Sequence, residues 1–392
     1  MKKFITLSVI FFSAISFSQT VSDSIPPVPQ ENQNSIQRIL SGTFGKAVTL
    51  GGYGEMVYNQ PEGDNGTLDV HRLVLLLGYK FDEKTQFITE IEVEHVEEIY
   101  IEQAFVNYAV NNNVNLRGGL MLVPMGIINE YHEPTTFNGT DRPAVDHDIV
   151  PTTWRELGIG VTGRFPEISL GYQAYIFNGF KSTALDNEGG INGFLKGKDG
   201  LRGGRQKGIE STVDSPTFSA KLDYYGIPGL RFGLAGYFGK TQADDEVEDL
   251  DGANIGISMV GFDLRYAFRK FTARGEFVYA SLTDTDQYNT LTGRDLGSTL
   301  MGYYVEGAYN LLPLTAKQKL FAFARYEQYD THAGTEGGLV RNDAYNRQDI
   351  TAGLSYHIAN GVVIKGDYQI KDNALDGAEV KNQLNFGIGV WF

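Results

Sequence analysis

The segment ITEIEVEHVEEIYIEQ places a carboxylate at nearly every second residue. Glu90, Glu92 and Glu94 alternate with apolar residues, and Glu98 and Glu102 follow after a short interruption. Alternate side chains of an extended chain point to the same side, so these glutamates form one acidic face. Such a face attracts or orients cations, and it needs water or opposite charges around it.

Basic residues occupy equivalent positions on other alternating segments. The candidates for a charged inner surface are Arg72, Arg117, Arg265, Arg274, Arg325 and Lys365. Together with the glutamates they could produce a transverse field that orients hydrated solutes and sets ion preference. Alternatively, the opposite charges pair across neighbouring strands and only keep a wet wall neutral. The sequence leaves both interpretations open.

Two long polar segments, 124–153 and 179–216, separate alternating segments. The candidates for a constriction in and after the first segment are Glu133, Arg142, Asp146, Asp148 and Arg155. The second segment is rich in glycine and carries the basic residues Lys181, Lys196, Lys198, Arg202, Arg205 and Lys207. A segment folded inward would narrow a pore and decide its selectivity. If both segments stay outside, the pore is broad and general.

The motifs for metal binding and catalysis are weak. His132 with Glu133, and the segment 146–148, contain metal-ligand residue types. Neighbouring residues of an extended loop point in different directions, however, and a metal site needs convergent ligands. Ser355 and His357 share one face, but positions two apart along a strand are about 6–7 Å apart. We therefore predict no metal site, no cofactor and no enzyme activity.

The elements that carry these residues are strands. The apolar faces alternate with polar faces, and the C-terminal segment NFGIGVWF places Phe386, Ile388, Val390 and Phe392 on one side. Segments of about ten residues suit tilted strands that cross a bilayer. The sixteen predicted strands are 46–59, 67–81, 86–96, 99–110, 114–123, 154–165, 168–178, 217–226, 230–240, 254–268, 271–283, 298–310, 319–330, 347–358, 362–372 and 380–392.

The connections alternate in length, which is typical of bacterial outer-membrane barrels. Every second connection is short, as at 82–85, 111–113 and 360–361, and most of the others are longer. The sequence therefore predicts an all-β fold, a transmembrane antiparallel β-barrel of about sixteen strands. The short turns and both termini would lie in the periplasm, with the long loops outside. A barrel of this size is too wide for side chains to fill, which favours an aqueous channel.

The N-terminus and the composition restrict the class of protein further. Residues 1–18 have the basic start and apolar stretch of a secretory signal peptide. Residues 19–45 form a flexible periplasmic leader with one helical turn at IQRIL, and 46–392 form the barrel. The net charge of −15 argues against nucleic acid as a partner. The absence of cysteine excludes thiol chemistry.

The segments LRGGLMLVPMGIINEYHEPTTFNG and RPAVDHDIVPTTWRELGIGVTGRF resemble the outer-membrane porin family named for the phosphate-selective porins O and P. The resemblance implies a sixteen-stranded barrel, commonly a homotrimer, that carries small anions past an arginine ladder and lysines. No such ladder can be placed in this sequence. Arg72, Arg117, Arg142 and Arg155 are the candidates for an anion path.

We therefore expect a porin in the outer membrane of a Gram-negative bacterium. Its partners would be outer-membrane lipid and small hydrophilic solutes or ions, with anions such as phosphate among them, that cross by passive diffusion. One alternative is a barrel-based outer-membrane enzyme, which would need catalytic residues on the lipid-facing side. Another is a structural or adhesive surface barrel, which would have a blocked lumen.

Overall fold

The computed structural model describes residues 34–40 and 47–392. The predicted signal peptide lies outside the described residues, and so does most of the predicted leader. Within the described ranges, no helix has both the length and the apolar character that crossing a membrane requires.

Sixteen strands form one closed antiparallel barrel, in which each strand pairs with its neighbours along the chain. The barrel strands are β1 (Val48–Pro61), β2 (Thr67–Lys80), β3 (Thr85–Glu94), β4 (Glu98–Asn111), β5 (Val114–Leu122), β6 (Arg155–Phe165), β7 (Leu170–Phe177), β10 (Thr217–Ile227), β11 (Leu230–Lys240), β13 (Gly256–Phe268), β14 (Phe271–Thr283), β15 (Thr299–Asn310), β16 (Lys319–Gly334), β17 (Asn346–Ala359), β18 (Val362–Asn373) and β19 (Lys381–Trp391). The predicted barrel is confirmed, and every predicted strand is present with ends shifted by four residues or fewer.

Alternation along each strand separates an apolar outer surface from a polar inner surface. In β19, Phe386 is 50% exposed and Ile388 is 45% exposed, whereas Asn385, the residue before Phe386, is fully buried. The same pattern leaves leucine, valine, phenylalanine and tyrosine side chains outward on the other strands. In a membrane this surface would contact lipid, which removes the cost of exposing it to water.

The barrel closes where the first strand meets the last. Tyr53 of β1 lies opposite Trp391 of β19, and the register continues to Pro61 opposite Gln383. Gly52 exchanges two backbone hydrogen bonds with Phe392, at 3.0 Å and 2.9 Å. Closure leaves no strand edge with unpaired backbone groups, a condition that hydrocarbon surroundings impose.

The two ends of the barrel differ in their connections. At one end, called the short-turn end here, brief turns such as 269–270 and 360–361 join the strands. Gly361 has a φ of 82°, and a Cβ there would lie 2.1 Å from the carbonyl oxygen of Trp391, so the turn requires glycine. The other end, the long-loop end, carries 123–154, 178–216 and 241–255 among its connections.

The remaining elements lie inside the barrel, in the long loops or, for one helical turn, in a short connection. A small sheet has the order β12 (Gln242–Ala243), β8 (Lys181–Leu185) and β9 (Ile191–Gly193). Helix α2 (Thr285–Thr292) lies between β14 and β15. Helix α1 (Ser35–Leu40) includes the predicted helical turn and packs against β1 and β2, with Ile36 and Ile39 buried. Short helical turns occur at Val145–Ile149, Pro166–Ile168, Arg202–Gly204 and Asp343–Tyr345.

Candidate functional site

The connection 123–154, called the inner loop here, folds into the barrel and is bonded to its inner wall. The amide of Ile127 donates to Glu276 Oε2 at 2.7 Å, and the amide of Thr140 donates to Asp367 Oδ2 at 2.6 Å. Carboxylates on inward positions of distant strands thus satisfy backbone donors of the loop. Of the two arrangements that the sequence leaves open, the inward fold is the one observed.

The predicted constriction residues of the inner loop have different surroundings. Glu133 is fully buried and accepts a hydrogen bond from the backbone N–H of Ser35 in α1. Asp146 is also fully buried. Asp148 forms an ion pair with Arg347 of β17 at 2.6 Å. These three carboxylates therefore contribute to the packing of the loop.

Most of the predicted wall arginines are paired with carboxylates of the same wall. The pairs join Arg72 to Glu55 at 2.7 Å, Arg325 to Glu327 at 2.8 Å and Arg274 to Glu306 at 2.9 Å. Both partners of the first two pairs are almost completely buried. For these residues the arrangement favours mutual neutralisation over a free transverse field.

Three inward arginines stand in one row across neighbouring strands. Arg231 of β11 lies opposite Arg265 of β13, which lies opposite Arg274 of β14. Asp223 lies 3.0 Å from Arg231, and Asp263 lies 3.7 Å from Arg265. The acidic partners offset the repulsion within the row. The sequence did not reveal this row, because strand register decides which arginines become neighbours.

The glutamates of the predicted acidic face lie in two places, inside the barrel and at its long-loop end. Glu90, Glu92 and Glu102 are buried inside the barrel. Glu94 and Glu98 lie opposite each other where β3 and β4 reach the long-loop end, and Glu98 is exposed. The five glutamates are therefore not equivalent, since only the first three are enclosed by protein.

Two predicted basic residues of the wall have no carboxylate within ion-pair distance in the described part of the chain. Lys365 Nζ lies 3.7 Å from the centre of the Phe137 ring. Arg117 donates to Asn107 Oδ1 at 2.9 Å and to the hydroxyl of Tyr175 at 3.3 Å. These two residues differ from the paired arginines because neither forms an ion pair with a described carboxylate.

Five further cations gather at the long-loop end, and we refer to them as the basic cluster. They are Arg142, Arg155, Arg202, Arg205 and Lys207. Among the residues that the structure describes, none of the five has a carboxylate within 4 Å. The ring of Tyr100 lies 5.7 Å from the Arg155 guanidinium and 5.4 Å from Lys207 Nζ, which provides a cation–π contact to both.

Backbone carbonyls position two members of the basic cluster. Arg202 donates to the carbonyl of Thr152 at 2.6 Å. Arg205 donates to the carbonyls of Pro151 and Thr153 at 3.0 Å and 3.2 Å. Loop 178–216 is thereby attached to the end of the inner loop without using any carboxylate. The guanidinium groups are satisfied as donors but retain their full charge.

Three aromatic side chains pack together beside the backbone segment that holds the basic cluster. Trp154 packs against Phe180 at 4.7 Å and against Tyr237 at 4.6 Å between ring centres. Its indole N–H donates to Glu156 Oε1 at 2.9 Å. All three aromatic side chains are fully buried. This packing makes the backbone around Thr152 a rigid support for the basic cluster.

The basic cluster carries a concentrated positive charge. Burial and then the charge of Arg142 lower the pKa of Arg202, while burial and then Arg202 and Arg155 lower the pKa of Arg205. Burial, followed by Arg205 and Arg155, lowers the pKa of Lys207 below the usual lysine value. Each positive charge thus destabilises the protonated form of its neighbours. A small anion placed among them would relieve this repulsion.

Raising the pH is expected to weaken the positive field of the basic cluster. Lys207 loses its proton at a lower pH than an ordinary lysine because burial and the neighbouring arginines lower its pKa. The preference for anions, measured as the reversal potential in a salt gradient, should therefore begin to fall below the pH at which an ordinary lysine titrates, about 10.4. In the variant Lys207→Met this pH-dependent decrease should be smaller. An equal decrease in both proteins would contradict the role given to Lys207.

Three members of the basic cluster were not among the selectivity residues that the sequence indicated. Arg202, Arg205 and Lys207 belong to the glycine-rich segment whose basic character was evident, but its position relative to the barrel was not. Their spacing carries no periodic signal, since they lie in an irregular loop and a short helical turn. The abundance of basic residues beside glycines was the only available indication.

The closed barrel of sixteen strands, with a loop folded inward and a charged inner wall, has the fold of porin-type β-barrels. Solved structures with this fold include an anion-selective porin from Comamonas acidovorans, with 14% identity, a TM-score of 0.57 and coverage of 88% of this chain and 99% of that one. The outer-membrane channel DcaP of Acinetobacter baumannii has 12% identity, a TM-score of 0.57 and coverage of 88% and 97%. The trimer form of OmpT from Vibrio cholerae has 10% identity, a TM-score of 0.54 and coverage of 88% and 99%.

One relative is close enough in sequence to establish a family. An uncharacterized protein of Aquifex aeolicus (strain VF5) is 34% identical over 348 residues, which is 83% of this chain and 76% of the relative. The chain belongs to the same family as this protein. No protein-family model matches the chain.

Proposed function

We propose that this protein is a passive-diffusion porin of the bacterial outer membrane that prefers small anions, with phosphate among its solutes. The observation that carries the proposal is the basic cluster, whose five cations have no carboxylate within 4 Å in the described residues. It stands at the long-loop end, where an external solute would arrive first. Positive charge there raises the local concentration of anions and excludes cations.

The distribution of charge along the inner wall supports the same preference. The paired arginines contribute little net field, because their carboxylates neutralise them. Arg117 is an inward cation without such a partner, and it extends positive charge into the barrel. The resemblance to the phosphate-selective porins O and P, and the anion selectivity recorded for the Comamonas acidovorans porin, agree with this proposal.

The proposal includes export by the signal peptide at 1–18, the division into leader and barrel, and assembly into a homotrimer. The trimer form of Vibrio cholerae OmpT supports the last of these. It also holds that the protein is not an enzyme, because the outward positions of the strands are mainly apolar or aromatic. Chemical cross-linking in detergent would test the trimer, with a monomer as the contrary result.

Recordings in planar lipid bilayers test the function directly. The purified protein should give stable conductance steps, and a gradient of KCl should produce a reversal potential of the sign expected for chloride permeation. Added phosphate should reduce the chloride current if both anions share the basic cluster. Absence of conductance would contradict the porin function. A reversal potential of the opposite sign would contradict anion preference, and an unchanged chloride current would contradict phosphate as a solute.

A further inference from the structure

We infer that Glu90, Glu102 and His132 form a binding site for a divalent transition-metal ion inside the barrel. One carboxylate oxygen from each glutamate and one ring nitrogen of the histidine all lie within 4.8 Å of one another. Glu90 and Glu102 are 0% exposed and His132 is 1% exposed. Two carboxylates and an imidazole form a ligand set that suits Zn²⁺ and similar ions.

The ligands come from three separate elements. Glu90 belongs to β3 and Glu102 to β4, while the inner loop brings His132 between them. The register of β3 and β4 shifts between Glu90 and Ile91, which interrupts the regular pairing beside the site. The prediction of no metal site rested on His132 and its chain neighbour Glu133, because neighbouring side chains of an extended loop point in different directions. The convergent partners are distant in sequence, and only the inward fold of the loop reveals them.

The imidazole of His132 is oriented as it is in metal sites. Its Nδ1 lies 3.2 Å from the carbonyl oxygen of Asn129, so Nδ1 carries the proton of that hydrogen bond. Its Nε2 faces Glu102 Oε1 at 3.3 Å and the hydroxyl of Tyr53 at 2.8 Å. A backbone carbonyl that holds one ring nitrogen and directs the other toward carboxylates is the usual outer support of a metal-bound histidine.

Two carboxylate oxygens at the site have no hydrogen-bond donor among the described residues. They are Glu90 Oε2 and Glu102 Oε1, and both are inaccessible to solvent. The other oxygens are bonded, since Ser35 Oγ donates to Glu90 Oε1 and the hydroxyl of Tyr53 donates to Glu102 Oε2. Burial of an unpaired carboxylate oxygen is costly, and a cation between the two glutamates would remove that cost.

The distribution of charged residues around the site also favours a bound cation. The carboxylates in and beside this group are Glu55, Glu90, Glu92, Glu102 and Glu133, and the guanidinium groups that act on them are Arg38, Arg72, Arg142 and Arg155. Arg72 is already engaged by Glu55, and it also donates to the backbone carbonyl of His132. Among the described residues, no guanidinium group lies within 4 Å of a carboxylate oxygen of Glu90 or Glu102. A divalent ion between these two glutamates would place positive charge directly beside both unpaired oxygens.

A second group of residues that could bind metal ions must be eliminated by substitution before metal binding at the buried site is tested. Asp69, His71 and His95 also lie within 4.8 Å of one another, at the long-loop end, where His95 is exposed. Exposed histidines bind added metal ions weakly in many proteins. The background for the experiment is therefore the full chain with His71→Ala and His95→Ala.

Zn²⁺ titration of the chelator-treated background protein in detergent, followed by calorimetry, tests the site. We expect one bound Zn²⁺ per chain. Glu102→Gln and His132→Asn, which keep the size and much of the hydrogen bonding of the original residues, should each weaken binding at least about tenfold. Glu90→Gln provides a third variant if either of these fails to fold, and circular dichroism of the barrel checks the fold.

Co²⁺ supplies a second readout that is independent of conductance. Its visible absorption in the background protein should indicate nitrogen and oxygen ligands, and that absorption should change in His132→Asn. Absence of Zn²⁺ binding would overturn the inference. So would binding that persists unchanged in all three site variants. Because neither readout involves ion currents, the failure of the metal site and the failure of the proposed porin function are distinguishable.

Discussion

Neutralising three members of the basic cluster is expected to lower the ratio of anion to cation permeability by roughly tenfold. The substitutions are Arg142→Gln, Arg155→Gln and Lys207→Gln in one protein. None of these three side chains donates to a backbone carbonyl in the described structure, so their removal leaves the loop attachments of Arg202 and Arg205 in place. The measurement is the reversal potential in a KCl gradient.

The magnitude follows from the interaction of an ion with fixed charges. A unit charge about 8 Å from the ion contributes roughly 0.5 kcal/mol in water-like surroundings and more beside protein. Three such charges contribute about 1.5 kcal/mol for an anion and the opposite for a cation, hence about 3 kcal/mol in the permeability ratio. Screening over a Debye length of about 10 Å in 0.1 M salt reduces this to roughly half, which corresponds to roughly a tenfold change in the ratio. High ionic strength screens these interactions, so the effect should be largest in dilute salt.

A paired cation at the same end of the barrel provides the matched control. Lys181 forms an ion pair with Asp244, and the double variant Lys181→Gln and Asp244→Asn leaves the net charge unchanged. This control should retain the reversal potential of the unmodified protein. If the triple variant also retained it, the basic cluster would not determine selectivity, and the proposed anion preference would lose its structural basis.

Shortening the inner loop is expected to increase the single-channel conductance severalfold. The variant replaces residues 134–148 with about eight glycine and serine residues, a flexible linker without apolar or charged side chains. A barrel of sixteen strands encloses far more space than its own side chains fill. The inner loop occupies this space in the middle of the barrel, where Val145, Phe137 and neighbouring apolar residues are buried.

The barrel should tolerate this change. Glu306, Glu327 and Asp367 lose hydrogen bonds from the loop, but water would enter the widened lumen and replace them. The pair between Arg325 and Glu327 does not depend on the loop. Circular dichroism and migration on unheated gels would show whether the barrel is intact.

The control for the linker is the same sequence placed at the outer surface. The linker in place of residues 244–252 leaves the length of a different connection at the long-loop end nearly unchanged and should change the conductance little. If the inner-loop variant folds and conducts as the unmodified protein does, the inner loop does not limit the current.

The barrel was predictable from the sequence because alternation of side chains is a local property. In each strand, about ten alternating residues are enough to identify the polar and the apolar face. Strand β11 was predicted with the observed bounds of 230–240. The end of β16 was missed by four residues, because THAG at 331–334 does not alternate and is held by contacts with other loops. His332, for example, contacts the backbone of Asp295.

The positions of the loops and the pairing of charges were not predictable in the same way. Both depend on contacts between residues far apart in the chain. Arg72 was identified as an inward residue, but its partner Glu55 and its contact with His132 follow from strand register and from the fold of the inner loop. The convergence of Arg202 with Arg142 likewise requires two irregular loops to meet. Alternation carries no information about either event.

The contact between β1 and β19 has a consequence for how the molecule is made. Tyr53 and Trp391 become neighbours only after almost the entire polypeptide has been synthesised and delivered. Until then the incomplete sheet presents two open edges, which recruit other chains and lead to aggregation. Pairings of such long sequence separation also form slowly. We therefore expect a chain that lacks its last hairpin to keep both sheet edges open and to aggregate more readily than the full-length chain.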